Sequence, residues 1–264
     1  ILARFLGVEG FGNYSFLLSL LTVALVLSTL GLDAWLVRSV PKRSERGELG
    51  FVWSEFRAAS RRVLWMSVLV AAAIAFLQIN LIDKLTLLTC ALFFILWNQN
   101  IIRQSVLRGL HRPVSARLPD IILRPLILIL TLILLRSAGF GIGGNLPLWS
   151  AWLGQLFGAL VAFVVGGLVI RRAIGNIRAA EQGGANLNFA GARILLAYSL
   201  VLVATNEVDR LILGTVASPS EVGVYGASLR IAAFVMFAAE ALAVSFAPLL
   251  STAFSRGDNF QTQR

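Results

Sequence analysis

Between residues 194 and 216, an apolar run long enough to cross a bilayer carries Asn206, Glu207, Asp209 and Arg210. One charge at a helix centre costs roughly 2.5–3.5 kcal/mol on insertion scales, so such groups usually face a protein interior or a water-filled space. At helical spacing Ser199, Asn206, Asp209 and Arg210 share one side. Glu207 lies one turn before Arg210, within pairing reach. Two readings follow. The cluster forms the wall of a polar passage, or it is a structural ion pair near the outer interface. The helical rise carries Arg210 about 25 Å beyond Arg193, far enough to meet headgroups.

Further ionisable residues border or enter apolar runs. Arg230 falls about 12 Å into the next helix and has no acid three or four positions away along it. Glu240 follows on the same run; it is either a proton or sodium site or an interfacial charge near Pro248. Arg4 stands near the start. Asp33 and Arg38 flank the inner end of the 12–32 run, as a cytoplasmic gate or as a surface charge pair. Asn98, Gln99 and Asn100 are candidate glycan hydrogen-bonders or interfacial polar residues.

The elements that must position these groups are transmembrane helices. The chain is 58% hydrophobic and 14% charged, well below the charged share of soluble domains. Continuous apolar runs predict an all-α, multi-pass membrane bundle and argue against a β-barrel. Seven complete spans are expected near 12–32, 63–82, 85–102, 119–136, 148–170, 194–216 and 222–247. Residues 1–6 read as the outer end of an earlier span. The start at Ile1 and the stop at Arg264 read as the ends of a fragment. In the fifth span, counting that stub, Pro119 and Pro125 predict either a kink or a helix that starts at Pro125. Gly154, Gly158, Ala162 and Gly166 form a stripe at spacing four that would let another helix approach closely.

The connections alternate in charge. One set holds Arg38, Lys42, Arg43, Arg46, Arg57, Arg61 and Arg62, then Arg103, Arg108, Arg112, Arg117 and Arg124, then Arg171, Arg172, Arg178 and Arg193, with Arg256 and Arg264 in the tail. The opposite set holds Arg4, Lys84 and Arg136. The positive-inside rule places the richer set in the cytoplasm. The net charge of +10 is thus explained by topology and lipid contact, not by nucleic acid. The lone Cys90 excludes an internal disulfide and reads as a small buried hydrophobe. With His111 the single histidine, placed in a basic loop, no His/Cys metal cluster and no cofactor are expected.

Two stretches repeat. Arg4, Leu6, Gly7, Glu9, Gly12 and Tyr14 correspond in order to Arg210, Leu213, Gly214, Glu221, Gly223 and Tyr225. Each is a turn containing Glu that opens an apolar helix with Gly-x-Tyr. An even number of helices separates them, so the two copies share one orientation, as in transporters built from repeats.

These residues also carry a resemblance. Ala3 to Tyr14 resembles the first periplasmic joint of the Wzx-like bacterial polysaccharide flippases of the MOP superfamily. Leu30 to Asp33 with Leu36 to Arg38, Asp209 to Gly214, Glu221 to Ala227, Ala247-Pro248 and Arg256 to Asp258 resemble the sequel in order. The resemblance implies twelve or fourteen helices in two six-helix bundles around a cavity. Residues 1–192 would supply most of the first bundle and 193–264 the start of the second. It implies translocation of polyprenyl-pyrophosphate-linked oligosaccharide across the bacterial inner membrane, by a monomer, with proton or sodium coupling open. Arg4 would sit where lipid II relatives end their first basic helix, although residues 12–32 contain no arginine.

Arginine suits such a cargo, because its planar fork donates paired hydrogen bonds to phosphate. A MATE-type cation antiporter is the alternative; it would favour acidic residues in the early spans, where only Asp120 stands, at an edge. A glycan polymerase or ligase would need a large outer loop with catalytic groups. The outer connections are short, so an enzyme is not expected.

Overall fold

The computed structural model describes residues 2–78, 82–141, 145–174 and 189–233. These residues form eight helices: α1 (Leu2–Thr29), α2 (Leu32–Glu45), α3 (Leu49–Gln78), α4 (Lys84–Gly109), α5 (Pro113–Ser137), α6 (Leu148–Ile174), α7 (Phe189–Val216) and α8 (219–233). All but α2 and the described part of α8 are long and apolar enough to cross a membrane. The protein is therefore an all-α, multi-pass membrane bundle. The expected 222–247 span is described only as far as residue 233, and Glu240 lies outside the described residues.

The expected stub and the first full span are one element, α1, broken at Gly7. There φ is 72° and ψ is 175°, a conformation open to glycine at little cost. The break frees the Phe5 carbonyl, which accepts instead from the Leu146 N–H at 2.7 Å. α1 ends earlier than 32, because Leu30 and Gly31 turn the chain at φ 53° and 72°.

The largest departure from expectation lies in the basic connections. Arg38, Lys42 and Arg43 are not in a loop but on the amphipathic helix α2, which buries Leu32, Leu36 and Val40. Arg57, Arg61 and Arg62 lie on α3, which starts at Leu49, and Arg103 and Arg108 complete α4. Helices extend beyond the bilayer's apolar core wherever backbone bonding and packing continue, and hydropathy alone does not register those extensions.

α5 also starts earlier than its apolar run, at Pro113, and passes through both prolines. Pro125 has no N–H for the carbonyl four residues back and its ring crowds that carbonyl. The helix answers with a π turn over Pro119–Leu123, in which the Arg124 N–H bonds the Pro119 carbonyl. The helix does not start at Pro125; it runs on through both prolines, with the π turn as its irregularity. Arg117 and Arg124, expected in a basic loop, are thereby helical residues.

Two apolar cores stack along the bundle. One joins Leu17, Leu21, Phe93, Phe94, Leu132 and Trp152. The other joins Leu36 of α2, Val52 and Phe56 of α3, Val106 of α4 and Ile170 of α6. The second core gathers the basic helix ends at one end of the molecule. The opposite end holds the Gly7 break and Asn145–Leu146. The glycine stripe on α6 does admit a neighbour: a Cβ on Gly154 would lie 2.7 Å from Leu128 Cδ1, and one on Gly158 3.0 Å from the Arg124 backbone.

Candidate functional site

A cavity of about 660 Å³ opens between α1, α5, α6 and α8. Its polar lining comes from Tyr14, Asp120, Arg124, Gln155 and Arg230, set among apolar residues such as Phe11, Leu18, Leu128 and Ile231.

One hydrogen-bonded chain fixes most of this lining. Gln155 donates through Nε2 to the Tyr14 hydroxyl at 2.5 Å and accepts on Oε1 from Arg124 Nε at 2.7 Å. Arg124 Nη1 lies 3.8 Å from Asp120 Oδ1, one helical turn away. The other Asp120 oxygen accepts from Gln104 on α4. The π turn sets the Asp120–Arg124 spacing, and the close approach at Gly158 brings the Arg124 backbone against α6 beside Gln155. The Arg124 guanidinium carbon also stands 5.0 Å from the Phe93 ring centroid and 5.2 Å from that of Trp97.

Arg124 is only 16% exposed and Asp120 15%. Burying two opposite charges is costly unless both are hydrogen-bonded, and here each has neutral partners as well. Arg230 is different. It is exposed on the cavity and makes no ion pair or hydrogen bond among the described residues. Among the described residues the cavity thus holds two guanidinium groups against one carboxylate. Such a space accepts an anion; the planar donors suit phosphate or pyrophosphate oxygens.

A family model for polysaccharide biosynthesis proteins matches residues 1–254. The chain belongs to this family. It is the family of the Wzx-like flippases of the MOP superfamily. The protein is thus a polysaccharide-related membrane protein, in a family whose members are generally transporters rather than enzymes. No curated protein and no solved structure matches the chain.

Within this family member the sequence-derived site residues separate. Arg230 lines the cavity. The α7 cluster does not. Arg210 Nη2 pairs with Glu207 at 3.2 Å and donates to the Asn206 carbonyl at 3.2 Å. The Asn206 amide donates back to the Leu202 carbonyl at 2.7 Å. Asp209 accepts from the Tyr225 hydroxyl at 2.6 Å, tying α7 to α8. These groups bond mainly to one another, while Glu207 Oε2 and Arg210 Nε are buried without a hydrogen-bond partner among the described residues. Arg4 is exposed and outside the cavity lining, although its neighbours Leu2 and Ala3 are part of it. Asp33 and Arg38 lie on α2, not at the end of α1, and make no ion pair with each other. Arg38 instead shares a basic surface recess with Trp35, Lys42 and Arg46. Asn100 is buried and donates to the Ala159 carbonyl, and Gln99 donates to the Ser60 carbonyl, so both bind helices together. Among the described residues no cluster of His, Cys, Asp and Glu is arranged to hold a metal ion.

Tyr14, Gln104 and Gln155 escaped the sequence reading as members of this network, as did the position of Arg124. Gln155 is a polar residue inside an apolar run, and Asp120 and Arg124 stand four apart between two prolines; both were available signals.

Proposed function

We propose that the protein moves a polyprenyl-pyrophosphate-linked oligosaccharide from the cytoplasmic to the outer leaflet. The anionic pyrophosphate and the glycan enter the polar cavity while the lipid tail stays in the bilayer. Arg230, which has no ion-pair partner among the described residues, meets the pyrophosphate. Arg124, oriented by Gln155 and Asp120, supplies the second guanidinium. In this reading the basic end of the bundle faces the cytoplasm. Residues 1–192 supply most of one bundle and 193–264 begin a second, the two rocking about the cavity in alternating access. The observation that carries the reading is that Arg124 and Arg230 share one cavity with a single carboxylate among the described residues.

The test is export of surface polysaccharide in cells relying on the full-length protein with Arg124→Ala or Arg230→Ala. A charge-assisted contact is worth about 1.5–3 kcal/mol, so each change should lower export about tenfold or more. Lipid-linked oligosaccharide should accumulate in the inner leaflet. Normal export at normal protein level in both variants would refute the assignment.

One observation favours a second reading, a cation-coupled antiporter of the MATE type: Asp120 is among the residues that line the cavity. Its carboxylate already faces Arg124 and Gln104, which leaves little field for a cation. Proton- or sodium-driven dye efflux from vesicles, lost in Asp120→Asn, would establish that reading.

A further inference from the structure

At the basic end, a second crevice of about 300 Å³ separates α3, α4 and α6 and shares no lining residue with the central cavity. Arg103 and Arg171 both line it, with Trp53 and Phe56 of α3 on the facing wall. Arg103 reaches across from α4. Its guanidinium carbon lies 3.4 Å from the Phe163 ring centroid and one Nη donates to the Phe163 carbonyl. Gly167 of α6 lies beside it: a Cβ at that position would stand at ordinary contact distance, 3.5 Å from Arg103 Nη1. Among the described residues neither arginine has a carboxylate partner within ion-pair distance. A third cation, Arg57, stands 5.0 Å from the ring centroid of Trp53, which lines the crevice.

The outer wall is apolar and bare. Phe157, Leu160, Val161, Val164 and Leu168 are exposed along one face of α6, at the spacing of a helical stripe leading to Arg171. In a membrane span that face meets acyl chains. The result is a groove for hydrocarbon that ends in two guanidinium groups without a carboxylate partner among the described residues, with an aromatic wall. Two like charges side by side at the edge of a bilayer are costly, and an anion bridging them offsets that cost.

We infer that this crevice binds an anionic glycerophospholipid, its phosphate held by Arg103 and Arg171 and one acyl chain laid along Val164 and Leu168. Basic pockets between helices near the membrane surface hold anionic headgroups in this way. The occupant is a resident lipid, distinct from the cargo proposed for the central cavity.

The full-length protein in mild detergent is titrated with dioleoyl-phosphatidylglycerol, dioleoyl-phosphatidylcholine or undecaprenyl phosphate, and thermal unfolding is followed. Phosphatidylglycerol should raise the melting temperature, and phosphatidylcholine should raise it far less. Arg171→Gln, at an exposed position, should shrink the response; Arg103→Gln with Arg171→Gln should abolish it. Val164→Trp, which fills the groove without touching charge, should also weaken it. Equal shifts from both phospholipids, or an unchanged phosphatidylglycerol shift in Arg171→Gln and Val164→Trp, would overturn the inference. A shift with undecaprenyl phosphate alone would overturn it in favour of a cargo-docking groove. Polysaccharide export is not the readout, so failure here leaves the cavity assignment standing.

Discussion

Gly12 and Gly223, equivalent positions of the internal repeat, face each other across the junction of α1 and α8. A Cβ on Gly12 would lie 1.7 Å from the Pro219 carbonyl oxygen, and one on Gly223 would lie 2.4 Å from the Val8 carbonyl oxygen. Val8 and Pro219 each stand four residues before their glycine, so the contact is reciprocal, as a pseudo-two-fold axis requires. Ser15 and Gly226, three residues after those glycines, also meet: a Cβ on Gly226 would lie 3.2 Å from Ser15 Oγ. The two repeat copies therefore pack on one another, and that packing sets Arg230 beside the wall formed by α1.

The first prediction concerns that junction. Gly12→Ala and Gly223→Ala each force backbone apart, because the obstructing atoms are carbonyls and not flexible side chains. Overpacking of this kind costs about 1–3 kcal/mol. Both variants should show a lowered melting temperature in detergent and reduced export. Gly47→Ala, where a Cβ would meet nothing within 4 Å although φ is 72°, serves as a control for backbone strain alone.

Gln155→Leu should remove the acceptor that orients Arg124 and the donor to Tyr14 while keeping a similar volume. The lost hydrogen bond to a charged group is worth about 1.5–3 kcal/mol. Export should fall clearly, and Gln155→Glu should retain more of it than Gln155→Leu because an acceptor for Arg124 Nε is kept. Export by Gln155→Leu equal to wild type, at matched protein level, would count against the network.

Gly158→Ala tests the same residue through packing. The added Cβ would meet the Arg124 Cα, Cγ and O at 3.0 Å, tight enough to displace them by a few tenths of an ångström. Transport should suffer more than stability, because the shift acts on the guanidinium that lines the cavity. Melting temperature and export measured together separate the two.

Glu55 on α3 is fully buried and pairs with Arg43 of α2 at 2.8 Å, while its Oε2 has no hydrogen-bond partner. Removing one member of a buried pair strands the other. Arg43→Met should destabilise by roughly 3 kcal/mol, and the double change Arg43→Met with Glu55→Met should recover most of that loss. Additive single effects in a double-mutant cycle would show that the pair is not coupled.

At the start of α8, Ser218 and Glu221 form a reciprocal cap. The Ser218 N–H donates to Glu221 Oε2 at 2.8 Å, and the Glu221 N–H donates to Ser218 Oγ at 3.4 Å. The backbone and hydroxyl donors of Ser218 hold the Glu221 carboxyl below the ordinary glutamate range. A lowered value means the contribution is present above the ordinary range and is lost as pH falls through the lowered value. Glu221→Gln should therefore lower the melting temperature at neutral pH and flatten the acid limb of the profile, converging on the wild type in acid, as read by melting temperature against pH.

Sequence alone determined six membrane spans among the described residues, because twenty-residue apolar runs have no other stable fate than burial in lipid or in one another. It also singled out Arg230, since a charge well inside such a run stands out against its neighbours, and it located the two repeat copies through their shared glycines and tyrosines. The tertiary structure decided what hydropathy cannot register. Arg124 had the local signature of a loop arginine, yet α5 begins at Pro113 and carries it into the cavity wall. Gln155 became a partner only when α1 and α6 brought it to Tyr14, 141 positions away in the chain. The α7 charges, conspicuous in sequence, found their partners in Asn206, Glu207 and Tyr225 and left the cavity to others. Burial in a span marks a polar residue as costly. Which neighbour offsets that cost is a matter of three-dimensional proximity, and the order of residues along one helix does not contain it.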